Sequence, residues 1–266
     1  MKSVKLRGGM QTLSWMTTGE GPAMVLLHGF CGSSRYFERV IPELTARYRL
    51  IVPDLRGHGA SPALPGPYRI EAMAEDVKLL LDALEIDQAV LYGHSLGGYI
   101  TLAFAELYPE RLRGFGLIHS TAYPDSDEAK ENRLKAMATI REQGIRPYVD
   151  GLVPRLFAPA HVESMREAVE TAAEIGYGTD PDGAIATLGA MRERPDRRHV
   201  LRDARVPVLL VAGEEDRIVP VANVHAVEGP HITAVRLAGC GHMGMFEVPR
   251  QLAHRLAEHA ALCWNG

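Results

Sequence analysis

Ala89-Val90-Leu91-Tyr92-Gly93-His94-Ser95-Leu96-Gly97-Gly98-Tyr99 is the stretch whose reading decides the fold. Its first four residues form a short apolar run, suited to a buried strand. Residues 99–108 suit a helix, which stops before Pro109 because a proline restricts the residue preceding it. Between the two lies Gly93-x-Ser95-x-Gly97. Strand, sharp turn and helix form the context in which Gly-x-Ser-x-Gly makes a nucleophile elbow. The serine caps a strained turn and its hydroxyl stands clear of the sheet. The glycines two positions either side let strand and helix approach closely. The five-residue pattern recurs by chance, and its flanks give it meaning.

Working outward, residues 11–17 read as a strand and Ala23-Met24-Val25-Leu26-Leu27 as a strand buried on both faces. The second runs into His28-Gly29-Phe30-Cys31-Gly32, after which Ser33 or Ser34 is placed to cap a helix reaching about residue 44. Residues 50–53 form the next strand, ending in Asp54-Leu55-Arg56-Gly57-His58-Gly59. Ile70, Met73, Ala74, Val77, Leu80, Leu81 and Leu84 fall on one face of a helix. Beyond the elbow, residues 112–120 are a strand. Val208 to Gly213 is another, running into Glu214-Glu215-Asp216. Ile232 to Leu237 leads into Gly239-Cys240-Gly241-His242. Strands alternating with helices imply βαβ units and a mostly parallel sheet. An acid and a histidine, each past a later strand, complete the chain order Ser, acid, His.

The pattern changes between residues 121 and 200. Strand runs vanish, and 128–142, 145–156, 160–175 and 181–194 read as helices. Eighty residues exceed what one crossover between parallel strands requires.

Composition narrows the class. The chain has 266 residues, 46% hydrophobic and 23% charged, as in an ordinary globular protein. A net charge of −4 and the lack of a basic block argue against a nucleic-acid partner. No apolar run reaches membrane-spanning length, and the N-terminus lacks an apolar signal core, so no membrane partner and a cytoplasmic location are expected. Cys31, Cys240 and Cys263 are too few and too scattered for a disulfide framework. Cys263-Trp264-Asn265-Gly266 lacks the aliphatic pair of a prenylation box. No metal-ligand spacing, phosphate loop or Gly-x-Gly-x-x-Gly occurs, so no cofactor and no metal are expected.

These motifs, in this order, resemble the α/β-hydrolase superfamily, over nearly the whole chain apart from roughly residues 122–200. The resemblance implies an α/β core of residues 1–121 and 201–266 and a helical cap at 122–200. A serine hydroxyl is a poor nucleophile without a base within hydrogen-bond reach and a group that orients that base. Ser95 is the expected nucleophile and His242 the base. Asp216 is the expected orienting acid, with Glu214 and Glu215 as competitors. Gly213-x-x-Asp216, followed by an apolar residue and Pro220, resembles the family's acid loop. The Leu96 N–H, next after the serine and at a helix N-terminus, is placed to donate to an oxyanion. By resemblance the second donor is the Phe30 N–H, with Cys31 as the fallback. His28, Asp54, Arg56, His58 and Cys240 are read as structural.

The activity the resemblance implies is that of a carboxylesterase-like serine hydrolase acting on small apolar esters through an acyl-enzyme. C–C bond hydrolases, a menaquinone-pathway synthase, perhydrolases and hydrolase-fold signalling receptors share the triad and remain alternatives. Tyr99 stands where the synthase usually has arginine, and Ser95 argues against dehalogenases and epoxide hydrolases, which use aspartate. Met137, Ile140, Ile145, Leu152, Val153, Leu156, Phe157, Met165 and Met191 are the apolar surface with which the expected cap would roof the site.

Overall fold

The computed structural model describes residues 1–265. The last residue of the terminal cysteine box, Gly266, therefore falls outside the described residues. Eight strands form one sheet: β1 (Lys2–Leu6), β2 (Gln11–Thr18), β3 (Ala23–Leu27), β4 (Arg49–Pro53), β5 (Ala89–His94), β6 (Leu112–Ile118), β7 (Val208–Gly213) and β8 (Ile232–Leu237). Their spatial order is β1-β2-β4-β3-β5-β6-β7-β8. The pairings β1–β2 and β2–β4 are antiparallel and the rest parallel.

That order places the site. From β3 the chain crosses to β4 on one side, then returns over β3 to reach β5 on the other. Right-handed crossovers in opposite directions put their helices on opposite faces and open a crevice at the carboxyl ends of the two strands where direction reverses. Here those strands are β3 and β5, in register from Met24↔Val90 to Leu27↔Gly93. The His28–Phe30 loop and Ser95 therefore leave the sheet side by side. The carboxyl ends of β6, β7 and β8 are level with them, through His94↔Ile118, Ile118↔Val211 and Gly213↔Leu237.

The central strands are apolar along their whole length because both faces are covered. All five residues of β3 and all six of β5 and β7 are buried. Burying one Val, Leu or Ile side chain fully contributes roughly 1.5–3 kcal/mol. Ile70–Ala83 packs on Leu96–Leu107, and Arg198–Arg202 on the latter. Pro249–Asn265 packs with Ile41–Leu44 and against β6 and β8.

Several elements differ from the sequence expectation. The helix expected to run from Ser33 or Ser34 to about residue 44 is broken. Ser33 does cap, accepting from the Arg35 N–H, but only a single turn, Ser34–Phe37, follows before the short helix Ile41–Leu44. Pro42 stands at the start of that second piece, where its missing N–H cannot continue a helix from above. Strand β1 and helix Pro249–Asn265 complete the fold outside those expectations. β1 carries Lys2 and Lys5 on an edge, which shields it from pairing with another chain.

Between β6 and β7 no strand occurs. The segment holds Asp127–Gln143, Ile145–Leu156, Pro159–Ser164, Arg166–Tyr177, Pro181–Arg192 and Arg198–Arg202. The expected helix at 160–175 is two helices that meet at Met165, which leaves the helical region at φ −121° and ψ 38°. Of the apolar residues expected to face the core, Ile140, Ile145, Val153, Leu156, Phe157 and Met191 are buried, and Met137, Leu152 and Met165 are partly so. All belong to or pack on the same apolar cluster as Leu26 and Leu96.

Candidate active site

Ser95 sits between β5 and the Leu96–Leu107 helix with φ 49° and ψ −112°. Few non-glycine residues adopt such a backbone; it costs on the order of 1–3 kcal/mol and persists only where its surroundings hold it. They do so here. The Ser95 N–H donates to the Ile118 carbonyl at 2.9 Å. Its carbonyl accepts from Ser120 Oγ at 2.7 Å. The turn needs glycine at 97, because a Cβ there would lie 2.8 Å from the Leu27 carbonyl carbon. The elbow inferred from sequence is thus present, with its serine only partly covered.

His242 follows β8 and Asp216 follows β7. His242 Nδ1 lies 2.8 Å from Asp216 Oδ2. Asp216 Oδ1 accepts from the N–H groups of Ile218 and Val219 at 2.8 and 2.9 Å. Asp216 is buried, whereas Glu214 and Glu215 are exposed. Burial pushes the Asp216 carboxyl up. The opposing pull of His242, then of His119 and the Val219 N–H, outweighs it and leaves the group below the usual carboxylate range. Among the described residues no hydrogen bond joins Ser95 Oγ to His242. Catalytic hydrogen bonds are often long in a free enzyme and tighten when substrate binds.

The Phe30 N–H lies in the loop after β3, and the Leu96 N–H at the start of the helix that follows Ser95. Neither donates to another described residue. The Phe30 ring meets His58 and Tyr148 edge-on, each at 5.9 Å between centroids. Cys31, the fallback donor, is buried with φ 55°, and its carbonyl accepts from Tyr36 Oη at 3.2 Å.

The residues read as structural bind the loops together. His28 Nδ1 lies 2.7 Å from the Gly29 carbonyl, and its Nε2 accepts from the Leu55 N–H at 2.9 Å. Asp54 accepts from the N–H groups of Ser34 and Ala60 at 2.6 and 2.8 Å. Arg56 pairs with Asp76 at 2.6 Å. His58 is buried beside the Arg56 carbonyl at 3.0 Å. Cys240 is sealed in the histidine loop, Cys31 in the loop after β3 and Cys263 in the C-terminal helix. Burial raises all three thiols, that of Cys263 to about 12. Among the described residues no three His, Cys, Asp or Glu side chains converge as a metal-ligand set.

Three residues of the site were not legible beforehand. His94 Nε2 is 2.9 Å from the His242 carbonyl, with the two rings 4.9 Å apart. His119 is fully buried at φ 48°, its Nδ1 3.7 Å from Asp216 Oδ2, and neither ring nitrogen has a hydrogen-bond partner. Burial, partly offset by Asp216 and reinforced by His242, lowers the His119 imidazole to about 3. Glu247 braces the backbone on both sides of His242 at 3.0 and 3.1 Å. His94 lies inside the elbow motif, which is some signal. Nothing local distinguishes His119 or Glu247.

Comparison with known proteins follows the same lines. Residues 22–147 match the α/β hydrolase fold family. The chain is 29% identical to 3-oxoadipate enol-lactonase 2 of Acinetobacter baylyi, over 91% of this chain and 90% of that one. It is 30% identical to a pimeloyl-(acyl-carrier protein) methyl ester esterase of Xanthomonas oryzae, over 91% of this chain and 96% of that one. A thermophilic esterase from Thermogutta terrifontis superposes with a TM-score of 0.92 at 33% identity, covering 97% of each chain. The chain belongs to the α/β-hydrolase family and is a hydrolase of esterase-like kind. No helix among the described residues is long and apolar enough to cross a membrane.

Proposed function

We propose that this hydrolase cleaves small apolar carboxylic esters through an acyl-enzyme, with Ser95, His242 and Asp216 as its triad. The observation that carries the reading is Ser95 itself: a non-glycine residue held at positive φ on a helix N-terminus, beside a buried Asp216–His242 pair 2.8 Å apart. In the first half-reaction Ser95 Oγ attacks the ester carbonyl carbon while His242 Nε2 takes its proton. Negative charge gathers on the carbonyl oxygen, facing the free N–H groups of Phe30 and Leu96. The tetrahedral species collapses, and the proton on His242 leaves with the alcohol. In the second, water repeats the attack on the acyl-enzyme, His242 again acting as base, and carboxylic acid is released with Ser95 restored. Asp216 holds the Nδ1–H tautomer throughout and stabilises the imidazolium.

The enol-lactonase and methyl ester esterase relatives support an ester bond as the target, since a lactone is a cyclic ester. The helices at 122–200 act as a cap over the crevice. Tyr148 brings the cap to the Phe30 loop, and aromatic packing there favours an apolar acyl group. The test is a fluorophosphonate probe together with a panel of p-nitrophenyl esters. Labelling confined to Ser95, steady multiple turnover, and a loss on the order of 10⁴ or more in kcat for Ser95→Ala are expected. A probe that labels another serine, or a single burst without turnover, would reject the reading.

A further inference from the structure

A single carboxylate joins the helical segment to the loop that carries His242. Glu247 ends the short helix Gly244–Glu247, and its side chain is completely buried. Oε1 accepts from the N–H groups of Gly241 at 3.0 Å and Met243 at 3.1 Å. Oε2 accepts from the Ala158 N–H at 2.9 Å and lies 2.7 Å from His161 Nδ1. Gly241 and Met243 are the neighbours of His242, so one oxygen grips a backbone N–H of the residue on either side of the proposed base. The other oxygen holds the turn between Ile145–Leu156 and Pro159–Ser164. The remaining backbone groups of His242 are fixed as well. Its N–H donates to the Leu156 carbonyl at 2.7 Å. Its carbonyl lies 2.9 Å from His94 Nε2. The two chain segments touch without side chains between them, since a Cβ on Gly241 would lie 2.7 Å from the Phe157 carbonyl carbon.

We propose that Glu247 is a positioning residue for His242, and that residues 156–161 form a fixed wall of the catalytic loop instead of a lid that swings. The assignment of a catalytic role to His242 rests on the function proposed above. Hydrogen bonds to a charged acceptor are shorter and stronger than neutral ones. Only a carboxylate can accept on both sides here. A glutamine at this place presents an NH₂ to one pair of donors whichever way it turns, so one side of the seam opens. Displacing a catalytic group by about 1 Å costs on the order of 10²-fold in rate.

The test uses the full-length protein with Glu247→Gln, Glu247→Asp and His161→Ala. Two readouts are taken: kcat and KM on a p-nitrophenyl ester, and the downfield proton NMR resonance of His242 Nδ1–H bonded to Asp216. For E247Q, kcat should fall about 10²-fold with KM within about twofold of wild type, and the Nδ1–H resonance should shift or vanish. E247D keeps the charge but cannot span both sides; about a tenfold fall in kcat with a shifted resonance is expected. It answers the question if E247Q does not fold. H161A leaves the Ala158, Gly241 and Met243 bonds in place, so a change under threefold is expected. A folded E247Q or E247D with wild-type kcat and resonance overturns the proposal. So does an H161A variant as impaired as E247Q, because the imidazole and not the carboxylate would then be the positioning group. The NMR readout does not require turnover. A wild-type protein with no ester activity but a resonance that responds to Glu247 would fail the function reading alone.

Discussion

Asp216 stands apart from Glu214 and Glu215 because it is buried against His242 while they face solvent. Only the acid bonded to Nδ1 sets the imidazole tautomer. Asp216→Asn should therefore lower kcat by on the order of 10⁴, whereas Glu214→Gln and Glu215→Gln should stay within about twofold. Steady-state kinetics of the three variants decide this, and a glutamate variant as damaged as D216N would reassign the acid. Ser95, Asp216 and His242 were legible because each follows a strand and sits in turn chemistry with few readings. Phe30 and Leu96 came only as backbone positions on those same turns. Glu247 and His119 sit in no such turn motif, and His94 is marked only by lying inside the elbow. A glutamate in Gly244-Met245-Phe246-Glu247 or a histidine after Ile118 gains its role from what packs on it from distant chain. Contact of that kind has no local period or spacing to read.

At the scale of elements, the elbow depends on the contact between the Leu96–Leu107 helix and the end of β3. Gly97→Ala would push a methyl group against the Leu27 backbone, which cannot move without disturbing the sheet centre. Overpacking of this kind typically costs 1–3 kcal/mol. Thermal melts should show a clear loss of stability and assays a loss of activity; an unchanged Tm would mean the helix can shift. The helical segment needs gentler treatment than excision. Replacing residues 122–200 by a linker would remove the Leu156 carbonyl and Ala158 N–H that hold the histidine loop, so inactivity would say nothing about selectivity. Tyr148→Ala probes the same question with that seam intact. It opens space beside Phe30, and the ester chain-length optimum should move towards longer acyl groups. An identical profile would show that Tyr148 does not limit acyl length. Buried strands and the amphipathic face at 70–84 were legible because length and period agree there. The break at Pro42, the split at Met165 and the edge strand β1 were harder. The missing N–H of Pro42 stops a single helix there, no proline or glycine marks the departure at Met165, and β1 is a short, lysine-bearing edge with two inward residues, Val4 and Leu6.

At the scale of the whole molecule, burial keeps several histidines neutral. It lowers His28 to about 4 and His58 and His119 to about 3, each chiefly by desolvation. In the unfolded chain such groups take up a proton below about pH 6.5. Between that value and pH 3–4 the unfolded state binds protons that the native state cannot, so stability falls as pH falls. The depressed Asp216 acts in the same direction: its contribution is complete above the unfolded carboxylate pKa and is lost as pH drops through the folded one. Each buried histidine contributes up to about 1.4 kcal/mol per pH unit in that window. Tm should therefore decline steadily from pH 6.5 to pH 4, and a flat profile would refute neutral burial. The sealed cysteines extend this whole-molecule view into time. Iodoacetamide cannot reach Cys31, Cys240 or Cys263 in the closed protein, and raised thiol pKa values leave little thiolate to react. Alkylation at each must wait for that part of the molecule to open. The loop after β3, the histidine loop and the C-terminal helix thus each contain a native chemical clock. Peptide-resolved alkylation rates would reveal which of the three yields first, with no engineered probe.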